Sequence, residues 1–196
     1  MKIVLGVIAV AAVAFGGFLY SSEGNAPKQT IVQLYDPSKP QRQQLYNLCV
    51  SAQKYVLKDH HDSNLSDEQN KIFKTVMRDT INDRCDCRND HFMGAADKHL
   101  LHYDKVKEDY HNLAILSENL KINGFTGKQI LEEITYKQAL NDYHTRIDKL
   151  EDKQKVYEQI SAMNVTFQTN LNQCLKAKKL DGESLSEVML AKWSTF

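Results

Sequence analysis

The sequence predicts an all-α fold, a membrane-anchored helical bundle with one long coiled-coil-like helix, stapled by disulfides. Three observations carry that prediction. The 196 residues contain eight glycines and three prolines, and after residue 40 the glycines fall at apparent helix boundaries. Apolar residues recur at steps of three and four, the spacing of one buried stripe on an α-helix. Capping-box patterns at Ser66-Asp-Glu-Gln69, Thr126-Gly-Lys-Gln129 and Ser184-Leu-Ser-Glu187 mark helix starts.

Residues 1–20 read as a transmembrane signal anchor. Ile3 to Tyr20 is apolar and uncharged, about the length that crosses a bilayer. Lys2 precedes it, Glu23 follows closely, and the next positive charge is Lys28. The charge bias places the N-terminus in the cytoplasm and the rest outside. The expected location is therefore an inner or plasma membrane, single-pass, with a periplasmic or extracellular C-terminal domain. Residues 21–40 hold Pro27, Pro37 and Pro40 and read as an extended juxtamembrane linker. Within it, Thr30 to Tyr35 is more apolar than a free tether needs.

The bundle is expected over residues 41–182. Its first helix spans about 41–59, with Leu45, Leu48, Cys49, Ala52, Tyr55 and Val56 as its stripe. The second spans about 66–88, the third about 95–121, and Asn123-Gly124 ends the third. From Lys128 to Asp181 there is neither glycine nor proline, and the stripe runs through Ile130, Ile134, Leu140, Tyr143, Ile147, Leu150, Tyr157, Ile160, Phe167 and Leu171. This predicts one helix over about 126–180, stopped at Gly182. Unbroken, it would be about 80 Å long, so it either projects as an arm or folds back. The five polar residues Glu151 to Lys155, where the stripe slips register, are the best break; Met163 to Thr166 is a second candidate. Residues 183–196 form a short amphipathic helix presenting Leu185, Val188, Met189 and Trp193.

Charge excludes one class of function. Twenty-five basic residues balance twenty-five acidic ones, and no local basic cluster stands out, so no nucleic-acid partner is expected. No nucleophile elbow, HExxH, Walker loop or dinucleotide fingerprint is present. His60-His61-Asp62 reads as a polar loop, and Glu132-Glu133 as helix surface charge. Asn64-Leu-Ser66 and Asn164-Val-Thr166 match the glycosylation sequon.

The cysteines are Cys49, Cys85, Cys87 and Cys174, an even number in a chain read as exported, which implies disulfides. A direct Cys85–Cys87 bond is strained, so each is expected to reach a different partner. In a simple hairpin about residues 60–65, Cys49 lies level with Val76, roughly 13 Å short of Cys85. Cys49 therefore meets Cys85 or Cys87 only if the second helix ends early or is offset. The alternative is a Cys49–Cys174 bridge. The rival chemistry is a metal or thiol-redox site built from Cys85, Cys87, His91, His99 and His102, the last two one helical turn apart.

No cofactor is expected and no enzymatic activity is indicated. The sequence favours an interaction or scaffold component that contacts a protein partner, or a second copy of itself, through the long helix. Leu150, Tyr157, Ile160, Phe167 and Trp193 are the expected partner-facing residues. The alternative is a ligand-binding or inhibitory module whose core, with His99, Tyr103 and Tyr110, lines a pocket.

Overall fold

A computed structural model describes residues 40–194 of the chain. The expected anchor, most of the linker and the terminal Phe196 lie outside the described residues. Within them the chain is all-helical: α1 (Gln41–Asp59), α2 (Asp67–Asp79), α3 (Ile81–His99), α4 (Asp104–Ile122), α5 (Gly127–Glu132), α6 (Ile134–Asp148), α7 (Lys153–Ala177) and α8 (Gly182–Trp193). Among the described residues, no helix is long and apolar enough to cross a membrane.

α4 is the central helix. Most of its residues from Tyr110 to Leu120 are buried, including Ile115 and Leu120, so it is covered on all sides. α1 packs on α3 and α4, α6 packs on α4, and α7 packs on α3. Phe92 of α3 stacks on Tyr110 of α4 at 5.1 Å between ring centroids and meets Phe167 of α7 edge-on at 5.8 Å. Tyr110 donates a hydrogen bond to Asn164 Oδ1 at 3.3 Å. That bond satisfies a polar residue on the α7 stripe, which is why the expected weak point at Met163–Thr166 stays helical. A smaller apolar cluster lies apart from this core, where Leu185, Met189 and Trp193 of α8 pack on Ile72, Phe73, Val76 and Met77 of α2.

The expected single helix over 126–180 is instead three helices. The Thr126–Gln129 capping box opens α5 as expected. The chain then breaks at Glu133, whose ψ is 134° and whose carboxylate accepts from Tyr136 N–H at 2.7 Å. Glu133 is thus the N-cap of α6 rather than idle surface charge, and an anionic cap complements the helix dipole. The second break is the turn at 149–152, within and just before the polar run at 151–155. Tyr103 at the start of α4 donates to the Asp152 carboxylate there, and Leu150 packs inward on the core. α7 therefore folds back over α3 instead of projecting as an arm.

Further boundaries differ from the sequence reading. The second helix kinks at Thr80, whose hydroxyl bonds back to Val76 O at 3.2 Å and Met77 O at 3.1 Å. α3 then runs on through the cysteines to His99, where an end near residue 88 was expected. α7 is stopped by Lys179, at φ 56°, not by Gly182; Leu180 N–H bonds to Leu175 O at 2.7 Å in the manner of a Schellman cap. Asp181, not Ser184, then caps α8 by accepting from Ser184 N–H at 3.2 Å. Asn123-Gly124 does end α4 (the helix expected over about 95–121, which starts at Asp104): the φ of Gly124 is 85°, and a Cβ there would meet the Tyr55 hydroxyl at 3.0 Å.

Candidate functional site

α3 carries the cysteine corner. Cys85 and Cys87 are two residues apart on one helix, which turns their side chains about 200° apart. They therefore reach neighbours on opposite sides. Cys85 is bonded to Cys49 of α1 and Cys87 to Cys174 of α7, each with Cα atoms 5.8 Å apart. All four cysteines are paired. The register obstacle disappears because the kink at Thr80 frees α3 to run antiparallel along α1: Asn89 Nδ2 donates to Arg42 O at 2.9 Å, and Arg84 bonds to Gln53.

A buried polar layer surrounds the corner. Glu118 of α4 is 2% exposed and takes an ion pair from Arg88 of α3 and another from Lys121 at 3.0 Å. Burial alone would raise its carboxyl, but the two cations overcome this and hold it below the usual range. Desolvation lowers the Arg84 guanidinium to about 10. Gln53 Nε2 lies 3.5 Å from Cys49 Sγ and 3.4 Å from Cys85 Sγ, and Arg88 Nη1 lies 3.7 Å from Cys49 Sγ. Beside them is a cavity of about 10 Å³ lined by Leu45, Cys49, Arg88, Asn89, Phe92 and Glu118. That is room for about one water, far below the roughly 300–1,000 Å³ of small-molecule sites.

His111 of α4 is 2% exposed and lies against Phe92 and Tyr110, with Nδ1 2.9 Å from Gln41 Oε1. Its Nε2 is buried with no hydrogen-bond partner among the described residues. Desolvation lowers its pKa to about 4. The unfolded chain therefore binds more protons than the folded chain between that value and the ordinary histidine pKa of about 6.5. Its contribution is present at neutral pH and is lost as pH falls through that window, amounting to about 3 kcal/mol. His111→Gln should flatten this part of the stability–pH curve, read as urea midpoints of both proteins from pH 7 to pH 4.

The other sequence candidates are dispersed. Both cysteines of the metal set are disulfide-bonded, His99 Nε2 lies 2.9 Å from Thr166 Oγ1, and among the described residues no three His, Cys, Asp or Glu side chains form a metal-binding group. His99, Tyr103 and Tyr110 bond separately to Thr166, Asp152 and Asn164. Ile160 and Phe167 are buried in the chain's own core, and Leu150 and Tyr157 pack on it half-buried. The folding back of α7 covers the stripe that was expected to face a partner. Trp193 is half-buried against α2.

The His60 ring lies tilted against Phe73 at 4.8 Å between centroids, and Asp62 accepts Asn64 N–H and Nδ2, both at 2.9 Å, in a turn clasped by buried Asn70. Of the two sequons, Asn64 is exposed and Asn164 is 4% exposed. Sequence reasoning missed Glu118, Arg84 and His111. The signal was a charged or polar residue within a stripe of buried positions, as Glu118 stands between Ile115 and Leu120. The chain matches no family model, no curated protein and no solved structure.

Proposed function

We propose that the chain is a non-enzymatic, extracytoplasmic interaction or scaffold module, held at a membrane by its N-terminal segment. The observation that carries this reading is the closure of all four cysteines in two bridges that tie α1 and α7 to α3. Structural bridges of this kind persist in oxidising compartments. The apolar run Ile3–Tyr20, with its preceding lysine, supplies the route of export and the tether. The buried ionisable groups support a structural role, since Glu118, Arg88 and Lys121 are engaged with one another.

Partner contact falls outside the covered α7 stripe in this reading. The outward residues of α8, Val188 and Leu190, are its apolar contacts, at 42% and 59% exposure. The test is protease treatment of intact cells or spheroplasts expressing the full chain, followed by membrane fractionation. The expected result is digestion of the C-terminal domain while a cytoplasmic marker survives, with the chain remaining in carbonate-washed membranes. A domain protected in intact cells and recovered in the soluble fraction would overturn the reading.

A further inference from the structure

The two bridges differ in how a reacting thiol could approach them. Cys49, Cys85 and Cys87 are 3%, 0% and 2% exposed, whereas Cys174 is half-buried on the last turns of α7, beside exposed Asn172 and Gln173. Thiol–disulfide exchange is an attack on one particular sulfur and depends on access to it. Both sulfurs of Cys49–Cys85 are buried beneath the Gln53 amide, with the Arg88 guanidinium against Cys49. In the second bridge Cys87 is buried and Cys174, half-buried, is the more exposed of the two residues.

We infer that Cys174 is an exchange site for a dithiol, of the class used by thiol–disulfide oxidoreductases, which opens and closes the Cys87–Cys174 bridge while Cys49–Cys85 stays shut. The inference rests on the reading of the chain as one that occupies an oxidising compartment. A thiolate of the dithiol attacks Cys174 Sγ. The new intermolecular S–S bond forms as the Cys87–Cys174 bond breaks, and Cys87 leaves with the electron pair and takes a proton from water. The second thiol of the reagent, after losing its proton, attacks the reagent's first sulfur and releases Cys174 as the thiolate. The bridge has gained two electrons and the dithiol, now a disulfide, has lost two. The reverse sequence, with a disulfide donor, closes the bridge.

Opening the bridge removes the covalent tie between the end of α7 and α3, leaving their packing and the Lys178–Asp83 ion pair at 3.1 Å. The α1–α3 corner stays closed through Cys49–Cys85, and α8 keeps its own contact with α2 through Leu185. Exchange at Cys174 thus acts on one joint of the bundle and leaves the other fixed.

The test uses the full chain purified without reductant. Free thiols are first counted after denaturation, which tests the compartment reading separately; if thiols are found, the chain is oxidised in vitro before the next step. The folded chain is then treated with limiting dithiothreitol, quenched by alkylation at timed intervals, and mapped by peptide mass spectrometry. Cys87 and Cys174 should become alkylated together, at a rate at least about tenfold above Cys49 and Cys85. In parallel, a thioredoxin whose second active-site cysteine is replaced by serine should be trapped as an adduct at Cys174. Equal rates for the two bridges, earlier opening of Cys49–Cys85, or an adduct mapped to any other cysteine would overturn the inference.

Discussion

Glu118→Ala should destabilise the folded chain by about 3 kcal/mol at pH 7, because it leaves the half-buried charges of Arg88 and Lys121 without the buried carboxylate they share. That loss is a large part of the roughly 5–15 kcal/mol that holds a typical domain together. Replacing the three residues together, as Arg88→Met, Glu118→Leu and Lys121→Met, should cost much less, since an apolar layer of similar volume carries no uncompensated charge. Urea denaturation of the two variants and the parent, with reductant absent, reads the difference. Equal losses in both would mean that packing at these positions, and not charge compensation, holds the layer.

The same carboxylate gives a pH signature. The folded chain holds the Glu118 carboxyl below its ordinary value, so the stabilisation is present above the unfolded pKa and disappears as pH falls through the folded one. The gap between parent and Glu118→Ala should therefore narrow on acidification below the ordinary carboxylate range. His111 acts in a separate window above it, between about 4 and its ordinary value near 6.5. The two effects are distinguishable by pH.

Removing either bridge should have a comparable effect. The Cys87–Cys174 bridge spans 87 positions and the Cys49–Cys85 bridge 36, for which the chain-entropy relation gives about 4.6 and about 3.8 kcal/mol. Each double alanine variant should show a lower denaturation midpoint, with the larger loss for Cys87→Ala with Cys174→Ala. A loss below about 1 kcal/mol for either would show that its bridge contributes little beyond the packing around it. This ranking concerns equilibrium stability and is independent of which sulfur a reductant reaches first. A bridge that closes the longer loop can still be the more accessible one.

Much of the bundle is legible in the sequence because it rests on local signals. The Ser66 and Thr126 capping boxes form as read, with both reciprocal bonds present, and α1 begins and ends where its stripe does. The pairing of Cys85 and Cys87 with separate partners follows from the strain of bonding to each other. What the sequence conceals are the places where a side chain ends or bends a helix without glycine or proline. Glu133 caps α6, Thr80 kinks the chain before α3, and Lys179 adopts a left-handed conformation ordinarily left to glycine.

The turn at 149–152, which the sequence does offer as its best break, is the most consequential boundary. Its local signature, a polar run and a register slip, is weak, whereas its long-range supports, the Tyr103–Asp152 bond and the inward packing of Leu150, depend on the folded bundle. One turn converts a partner-facing stripe into the core of the chain. Ile160 and Phe167 carry the same apolar character in either arrangement, so periodicity alone does not distinguish a coiled coil from a folded-back hairpin. The buried Glu118 is obscured for a related reason: a glutamate within a helical stripe reads as a flanking charge until the facing helix is known to bring Arg88.

The central claim is that the chain folds back on itself and is locked by two specific bridges. The most direct measurement is disulfide mapping of the full chain, purified without reductant from the membrane fraction of the cells that make it. The account predicts Cys49–Cys85 and Cys87–Cys174 as the pairs and no free thiol. A Cys49–Cys174 pair would contradict the packing of α1 along α3. Four free thiols in the freshly isolated chain would contradict the oxidising compartment on which the functional reading stands.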